Sequence, residues 1–240
     1  MPQLQRIAIT PSQLQHDQLL LTPQQQHYLM RVLRLRDGDR FIAMDGLGKW
    51  WLAQLTEAAA QILEPLEVYT ELPVAITLMI ALPKGNSFDE VVRSCTELGV
   101  ACIAPVLSDR TLLNPSPQKL ERWRRIATEA SEQSERAFVP TILEPVAFST
   151  AVNECHARHR FLCEARGDYP HFQRVINQLS GEMTIAIGPE GGWTEKEIQT
   201  ACDCGFQPIS LGRRILRAVT APIVALSLAA ATLEQLKIKN

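Results

Sequence analysis

The chain has 240 residues, 46% hydrophobic and 21% charged, a balance that excludes a disordered chain and suits one or two domains with sizeable cores. Its formal net charge of -2 gives no support for nucleic-acid binding and does not exclude it, because the binding footprint is a local patch of cations and not a sum. No charged stretch followed by an apolar run opens the chain, and the longest apolar stretch, 218–233, is interrupted by Thr220, Pro222, Ser227 and Thr232, so no membrane segment is expected and a cytoplasmic protein is.

Residues 1–70 carry short apolar runs at Arg6 to Ile9, Arg40 to Met44 and Trp50 to Leu55, with the turn signals Asp37-Gly38 and Asp45-Gly46 between the later ones. The pattern predicts a small β-rich domain. One helix interrupts it: Thr22-Pro23-Gln24-Gln25 offers an N-cap, a proline at the first helical position and a capping-box glutamine. Within that helix His27, Arg31 and Arg34 fall at i, i+4 and i+7 and share one face, with Leu29 and Leu33 directed toward the core. Leu66 to Pro73 reads as a linker. From Val74 strands and helices alternate. Val74 to Leu82 is a strand, and Ser87 to Glu90 has the form of a capping box opening a helix that ends near Gly99. Val100 to Leu107 is a second strand, and Ser116-Pro117 opens a long polar helix to about Arg136. Phe161 to Cys163 and Met183 to Ile187 are short apolar runs. Thr194 to Glu197 forms another capping box, Phe206 to Leu211 a strand, and a last helix reaches about Lys237. Such alternation indicates an α/β domain with a mostly parallel sheet over 74–240.

In open α/β sheets ligands bind beyond the carboxyl ends of strands. Two such ends carry unusual chemistry. Ile187 runs into Gly188-Pro189-Glu190-Gly191-Gly192, where glycines permit close backbone approach to a ligand; a plain strand-to-helix turn would use the same residues. Leu211 runs into Gly212-Arg213-Arg214-Ile215-Leu216-Arg217, whose arginines could meet an anion or a base, or could simply be solvated. A P-loop, a dinucleotide fingerprint and a G-x-S-x-G elbow are all absent, which weakens ATP hydrolysis, nicotinamide chemistry and serine hydrolysis. The six cysteines include no C-x-x-C pair, so reduced thiols are expected and a zinc site is not. No histidine is spaced with cysteine or acid as a metal ligand. The basic face of His27, Arg31 and Arg34 suits RNA phosphate contacts, with a merely solvated surface as the alternative.

Taken in order, these segments resemble the bacterial 16S ribosomal RNA (uracil-N3)-methyltransferase family of the SPOUT class. The similarity rests on Gly188 to Gly192 with Thr194 and Glu197, and on Leu211-Gly212 with Ile215, Leu216, Arg217, Thr220 and Ala221. It extends to Leu82 to Gly85, Thr96 to Val100, Glu129 to Pro140, and, in the first domain, Arg6, His27, Val32 to Arg34, Gly38-Asp39 and Asp45-Gly46. The resemblance implies an RNA-binding β-barrel of PUA type over 1–70, then a SPOUT α/β methyltransferase domain over 74–240 with a C-terminal trefoil knot. It implies S-adenosyl-L-methionine as donor, held by Leu162, Cys163 and Glu164, by Ile187, Gly188, Pro189, Gly191 and Gly192, and by Leu211, Gly212, Ile215, Leu216 and Thr220. It further implies a homodimer acting on 16S ribosomal RNA or the small ribosomal subunit. Arg217 is the expected stabiliser of the anionic base, Glu190 a loop-orienting or proton-accepting group, and Arg6, with His27, Arg31 and Arg34, an RNA contact. One position departs from the family pattern: where Leu-Arg-x-Glu-Thr-Ala is usual, this chain has Val219. A fold-conserving RNA-binding or ribosome-assembly protein, a SPOUT enzyme with a different RNA target, and an unrelated nucleotide-binding enzyme are the competing readings.

Overall fold

Apolar alternation folds the first part of the chain into a six-stranded sheet. The structure, a computed structural model, describes residues 4–57, 59–85, 87–111, 115–177 and 179–238; the first three residues of the N-terminal stretch considered above lie outside them. The chain divides into two compact units, Met1–Glu71 with Ser131–Val139, and Leu72–Ala130 with Pro140–Asn240.

In the first unit the strands are β1 (Arg6–Ala8), β2 (Leu14–Gln15), β3 (Gln18–Leu19), β4 (Arg40–Met44), β5 (Trp50–Thr56) and β6 (Ala59–Leu66), ordered β1-β4-β5-β6-β3-β2. The β1–β4 pair is parallel and the others are antiparallel. Leu19, Leu29, Phe41 and Leu55 are fully buried in the core of this unit, each contributing about 1.5–3 kcal/mol by leaving water. Strand β6 has no apolar alternation to announce it. Its Gln61, Glu64 and Pro65 are exposed, and it is held by its long hairpin pairing with β5.

Helix α1 (Pro23–His27) begins as its residues require: the Thr22 side chain accepts the Gln25 N–H, and the Gln25 side chain accepts the Thr22 N–H. The helix does not continue in α form. Tyr28–Val32 is a π-helical turn, in which the Leu33 N–H donates to the Tyr28 carbonyl. The turn slips the later residues around the axis, and Arg34 leaves it in the left-handed region at φ +59°. The common α-helical face expected for His27, Arg31 and Arg34 therefore does not form, although all three side chains are exposed. Leu29 and Leu33 do pack on the core.

Arg6 has a structural partner. Its Nη2 lies 2.8 Å from Glu135 Oε1 with the Arg6 side chain 11% exposed, and its guanidinium carbon sits 5.3 Å from the centroid of the Trp50 ring. A guanidinium so engaged is less free to meet a phosphate than the exposed Arg31 and Arg34. The same segment carries Arg136, which pairs with Glu71 and is buried. The other Glu71 oxygen accepts the Ala137 and Phe138 N–H groups.

In the second unit every strand pair is parallel. The strands are β7 (Ile76–Ala81), β8 (Cys102–Leu107), β9 (Thr141–Ile142), β10 (Val146–Ala147), β11 (His159–Cys163), β12 (Met183–Ile187) and β13 (Gln207–Ile209), ordered β10-β8-β7-β12-β11-β13 with β9 on β8. The helices are α2 (Phe88–Glu97), α3 (Pro117–Gln133), α4 (Phe148–Asn153), α5 (Phe172–Val175), α6 (Glu195–Asp203) and α7 (Thr220–Ile238). The expected parallel α/β sheet is present. The expected cap at Ser87 is not: Ser87 is itself in the right-handed helical region, with no side-chain capping bond. In that conformation its hydroxyl cannot reach the first free N–H groups. Asp89 instead accepts from Arg122 Nε at 2.7 Å and from Trp123 Nε1 at 3.1 Å. Among the described residues no helix is long and apolar enough to cross a membrane.

Breaking a buried ion pair from one side costs about 3–5 kcal/mol. Glu71→Ala is accordingly expected to lower the stability of the chain by about 3 kcal/mol, read from the midpoint of urea unfolding; an unchanged midpoint would show that the pair with Arg136 carries little.

Candidate functional site

Parallel pairing brings three strand ends to one level. Strand β12 is buried along its whole length, and its last residue, Ile187, stands opposite Cys163 at the end of β11. Cys163 stands opposite Ile209 at the end of β13, and the Glu164 N–H continues the ladder to the Ile209 carbonyl at 3.0 Å. The chain leaves all three strands in the same direction. Between the exits lies a cleft with about 840 Å³ of empty space, its open mouth included.

The three loops proposed from sequence meet there. Cys163 and Glu164 line the cleft from the β11 exit. Ile187, Gly188, Pro189, Glu190, Gly191 and Gly192 line it from the β12 exit. Leu211, Gly212, Ile215 and Leu216 line it from the β13 exit. Three of the residues named from sequence stand apart from the lining: Leu162 is fully buried in the core, Thr220 opens α7, and the Arg217 side chain is exposed between the lining residues Leu216 and Ala218. Arg110, Ala165, Arg166, Trp193, Ala218 and Ala221, which sequence reasoning did not name as site residues, also line the cleft, as does Arg214 of the arginine-bearing loop. No local signal would have found Arg110.

The glycine loop is shaped by its neighbours. Trp193 is 5% exposed and stacks on Phe148 with ring centroids 4.2 Å apart. A β-carbon on Gly188 would stand 3.2 Å from the indole nitrogen of Trp193, so any side chain here would have to displace the buried indole by a few tenths of an ångström. That nitrogen is buried without a hydrogen-bond partner among the described residues. Gly192 lies at φ +71° with open space where a side chain would go, and its N–H donates to the Pro189 carbonyl at 2.9 Å. Helix α6 then starts with the expected reciprocal cap: the Glu197 N–H donates to Thr194 Oγ1 at 3.2 Å, and the Thr194 N–H donates to Glu197 Oε2 at 2.8 Å. Glu190 turns its carboxylate to the β7 exit, where Oε1 accepts the Lys84 N–H at 3.0 Å.

The second loop is also fixed from within. The Gly212 N–H donates to Ser210 Oγ at 3.1 Å, and the Ser210 N–H donates to the Pro170 carbonyl at 2.9 Å. The main-chain groups of Leu211 and Leu216 make no hydrogen bond among the described residues. These groups border the cleft, and a bound ligand's polar edge could complete them. Apolar walls come from Ile187, Leu211, Leu216, Ala218 and Ala221, and charge comes from Arg110, Arg166, Arg214, Glu164 and Glu190. Burial, followed by the neighbouring Glu164 charge, pushes the Cys163 thiol well above its ordinary pKa. It stays protonated near neutral pH and offers no nucleophile. Among the described residues no group of three His, Cys, Asp or Glu side chains could hold a metal ion.

A family model described as an RNA methyltransferase domain matches residues 70–230, and one described as an RNA methyltransferase PUA domain matches residues 21–63. The chain is 48% identical over 236 residues to the ribosomal RNA small subunit methyltransferase E of Synechocystis sp., covering 95% of this chain and 78% of that one. The chain belongs to the small-subunit ribosomal RNA methyltransferase E family. Its fold agrees with two solved structures. One is the Neisseria gonorrhoeae ribosomal RNA small subunit methyltransferase E bound to S-adenosyl methionine, at TM-score 0.86 and 31% identity, covering 98% of each chain. The other is a Legionella pneumophila structure in complex with the cofactor SAM, at TM-score 0.87 and 29% identity, covering 95% of this chain and 98% of that one. Membership in the methyltransferase E family makes this chain an RNA methyltransferase of SPOUT type with a PUA domain, as the sequence resemblance implied.

Proposed function

We propose that this chain transfers a methyl group from S-adenosylmethionine to N3 of a uridine in 16S ribosomal RNA, working as a cytoplasmic homodimer with a knotted C-terminal segment. The observation that carries the proposal is the cleft formed where β11, β12 and β13 end together. Its residues fit the donor. The buried Trp193 nitrogen beside Gly188, without a partner among the described residues, and the open left-handed Gly192 leave room and polar atoms for a ligand edge. The free main-chain groups of Leu211 and Leu216 supply more, against apolar walls. When bound, the donor supplies a methyl group already activated by its sulfonium.

The protein's task is then mostly to position and to stabilise charge. Uracil N3 is a poor nucleophile until its proton leaves, and the resulting anion spreads onto O2 and O4. Arg217 stands at the cleft edge with its side chain exposed, where its guanidinium can meet those oxygens. Glu190 acts as a loop tie through its bond to Lys84. Val219 brings no carboxylate, so the N3 proton falls to one of the two acids of the cleft, Glu190 or Glu164, each of which accepts one backbone N–H through Oε1 and keeps its other oxygen for the proton. The target base must be unpaired, since pairing occupies N3. In the first unit His27, Arg31 and Arg34 are exposed and contact RNA phosphates; Arg6 is less free to do so. Helix α7 is apolar on most of its surface, yet Ile223, Val224 and Leu228 stay half-buried in the single chain. A second copy would cover them.

Arg217→Ala is expected to lower kcat by about a hundredfold or more with little change in donor affinity by calorimetry, whereas Gly191→Asp should abolish donor binding. Turnover surviving the first change would remove Arg217 from the chemistry, and donor affinity surviving the second would remove the cleft. RNA affinity should fall steeply with salt, with a slope reduced by about one for each of Arg31→Ala and Arg34→Ala; a slope unchanged by both would leave the first unit without phosphate contacts there. Sedimentation of the whole chain should give twice the monomer mass at micromolar concentration, and Val224→Glu should give the monomer; a monomeric parent chain would contradict the dimer.

A further inference from the structure

The loop leaving β8 reaches the glycine loop from outside. Its turn is held by a bond of 2.9 Å between the Ser108 and Thr111 hydroxyls. Asp109 donates its N–H to Glu197 Oε1 at 2.9 Å, and its Oδ2 accepts from Thr194 Oγ1 at 3.2 Å. Arg110 then crosses to the cleft. Its Nη1 donates to the Gly191 carbonyl at 2.5 Å and lies 3.4 Å from the Trp193 carbonyl. Its Cδ sits 3.1 Å from where a β-carbon on Gly191 would be. Arg110 is exposed and makes no ion pair among the described residues.

A planar trans peptide points its C=O and N–H in opposite directions. The peptide joining Gly191 to Gly192 is therefore gripped at both ends, by Arg110 on the carbonyl and by the Pro189 carbonyl on the N–H. The peptide joining Trp193 to Thr194 is gripped likewise, by Arg110 and by Glu197 Oε2. Gly191 and Gly192 have no side chains with which to anchor themselves, and glycine loses the most freedom on being fixed. The order of this stretch must come from outside it, and a loop left loose would have to be ordered by its ligand at a cost in affinity.

We propose that Arg110 is a positioning residue of the methyl-donor site: its guanidinium holds the peptide planes after Gly191 and Trp193, and so presets the glycine loop before the donor arrives. This rests on the reading of the cleft as the donor site. The test uses the whole chain and its Arg110→Ala and Arg110→Lys forms. S-adenosylmethionine affinity is measured by calorimetry, and amide hydrogen exchange over 188–194 is measured without donor. The expected results are a donor Kd roughly tenfold or more weaker in Arg110→Ala, partial recovery in Arg110→Lys, and faster exchange of the Gly192 and Thr194 amides in Arg110→Ala with β12 exchange unchanged. If the parent chain binds donor and Arg110→Ala binds it equally well, the proposal is overturned, whatever the exchange shows. Weaker binding without faster loop exchange, or with equally faster exchange in β12, overturns it too. If the parent chain binds no donor, the reading of the cleft fails, and unchanged exchange in Arg110→Ala would then remove the loop-holding role as well.

Discussion

Strand β12 is paired in parallel on both sides, so Ile187 lies opposite Ile80 on one flank and Cys163 on the other. That register is the constraint from which the site follows. A parallel sheet sends every chain exit to one edge, and the β11–β13 pairing adds a third exit beside the first two. A slip of one residue in β12 would turn its buried side chains to the opposite face. It would also shift the glycine loop relative to Cys163 and Leu211. Burial of all five β12 residues makes such a slip costly, and this is how a hydrophobic strand sets the geometry of the cleft at its end.

The loops beyond that edge are flexible in composition and fixed by their surroundings. Trp193 packs against Gly188, Glu190 ties back to Lys84, and Arg110 grips the two carbonyls that follow. Each tie comes from a different strand exit or from the start of α6. The cleft is thus preorganised by residues that need not touch a substrate, while its interior keeps main-chain groups free. A donor carrying its own activated methyl group asks little more of a protein than such a fixed frame and a cation near the base, which is the division of labour assigned to Gly188–Gly192 and Arg217.

The sequence disclosed what depends on neighbours along the chain. The caps at Thr22 and Thr194 are local hydrogen-bonding patterns, and both form as read. The strand at Met183–Ile187 is a plain apolar run and appears with those bounds. What failed to show depends on distant partners or on a choice among local conformations. Ser87 carries a capping pattern, but its backbone is already helical, and Asp89 serves α3 instead. Strand β6 is polar and is held by β5. The π-turn after His27 satisfies Leu29 and Leu33 at the expense of a regular basic face. The pairing of Arg6 with Glu135, more than a hundred positions away, could not be read from either residue's neighbours. Arg110 carried no signal at all. The loops after Ile187 and Leu211 were legible because glycines at strand ends are conspicuous; the side chains that hold them were not.

The most direct test of the central claim is a crystal structure of the whole chain with the demethylated product of the donor. The expected result is the product seated between the exits of β12 and β13, its polar edge on main-chain groups of Leu211 and Leu216 and its body beside Gly188–Gly192. Product bound elsewhere, or the cleft filled by the chain's own side chains at saturating product, would contradict it.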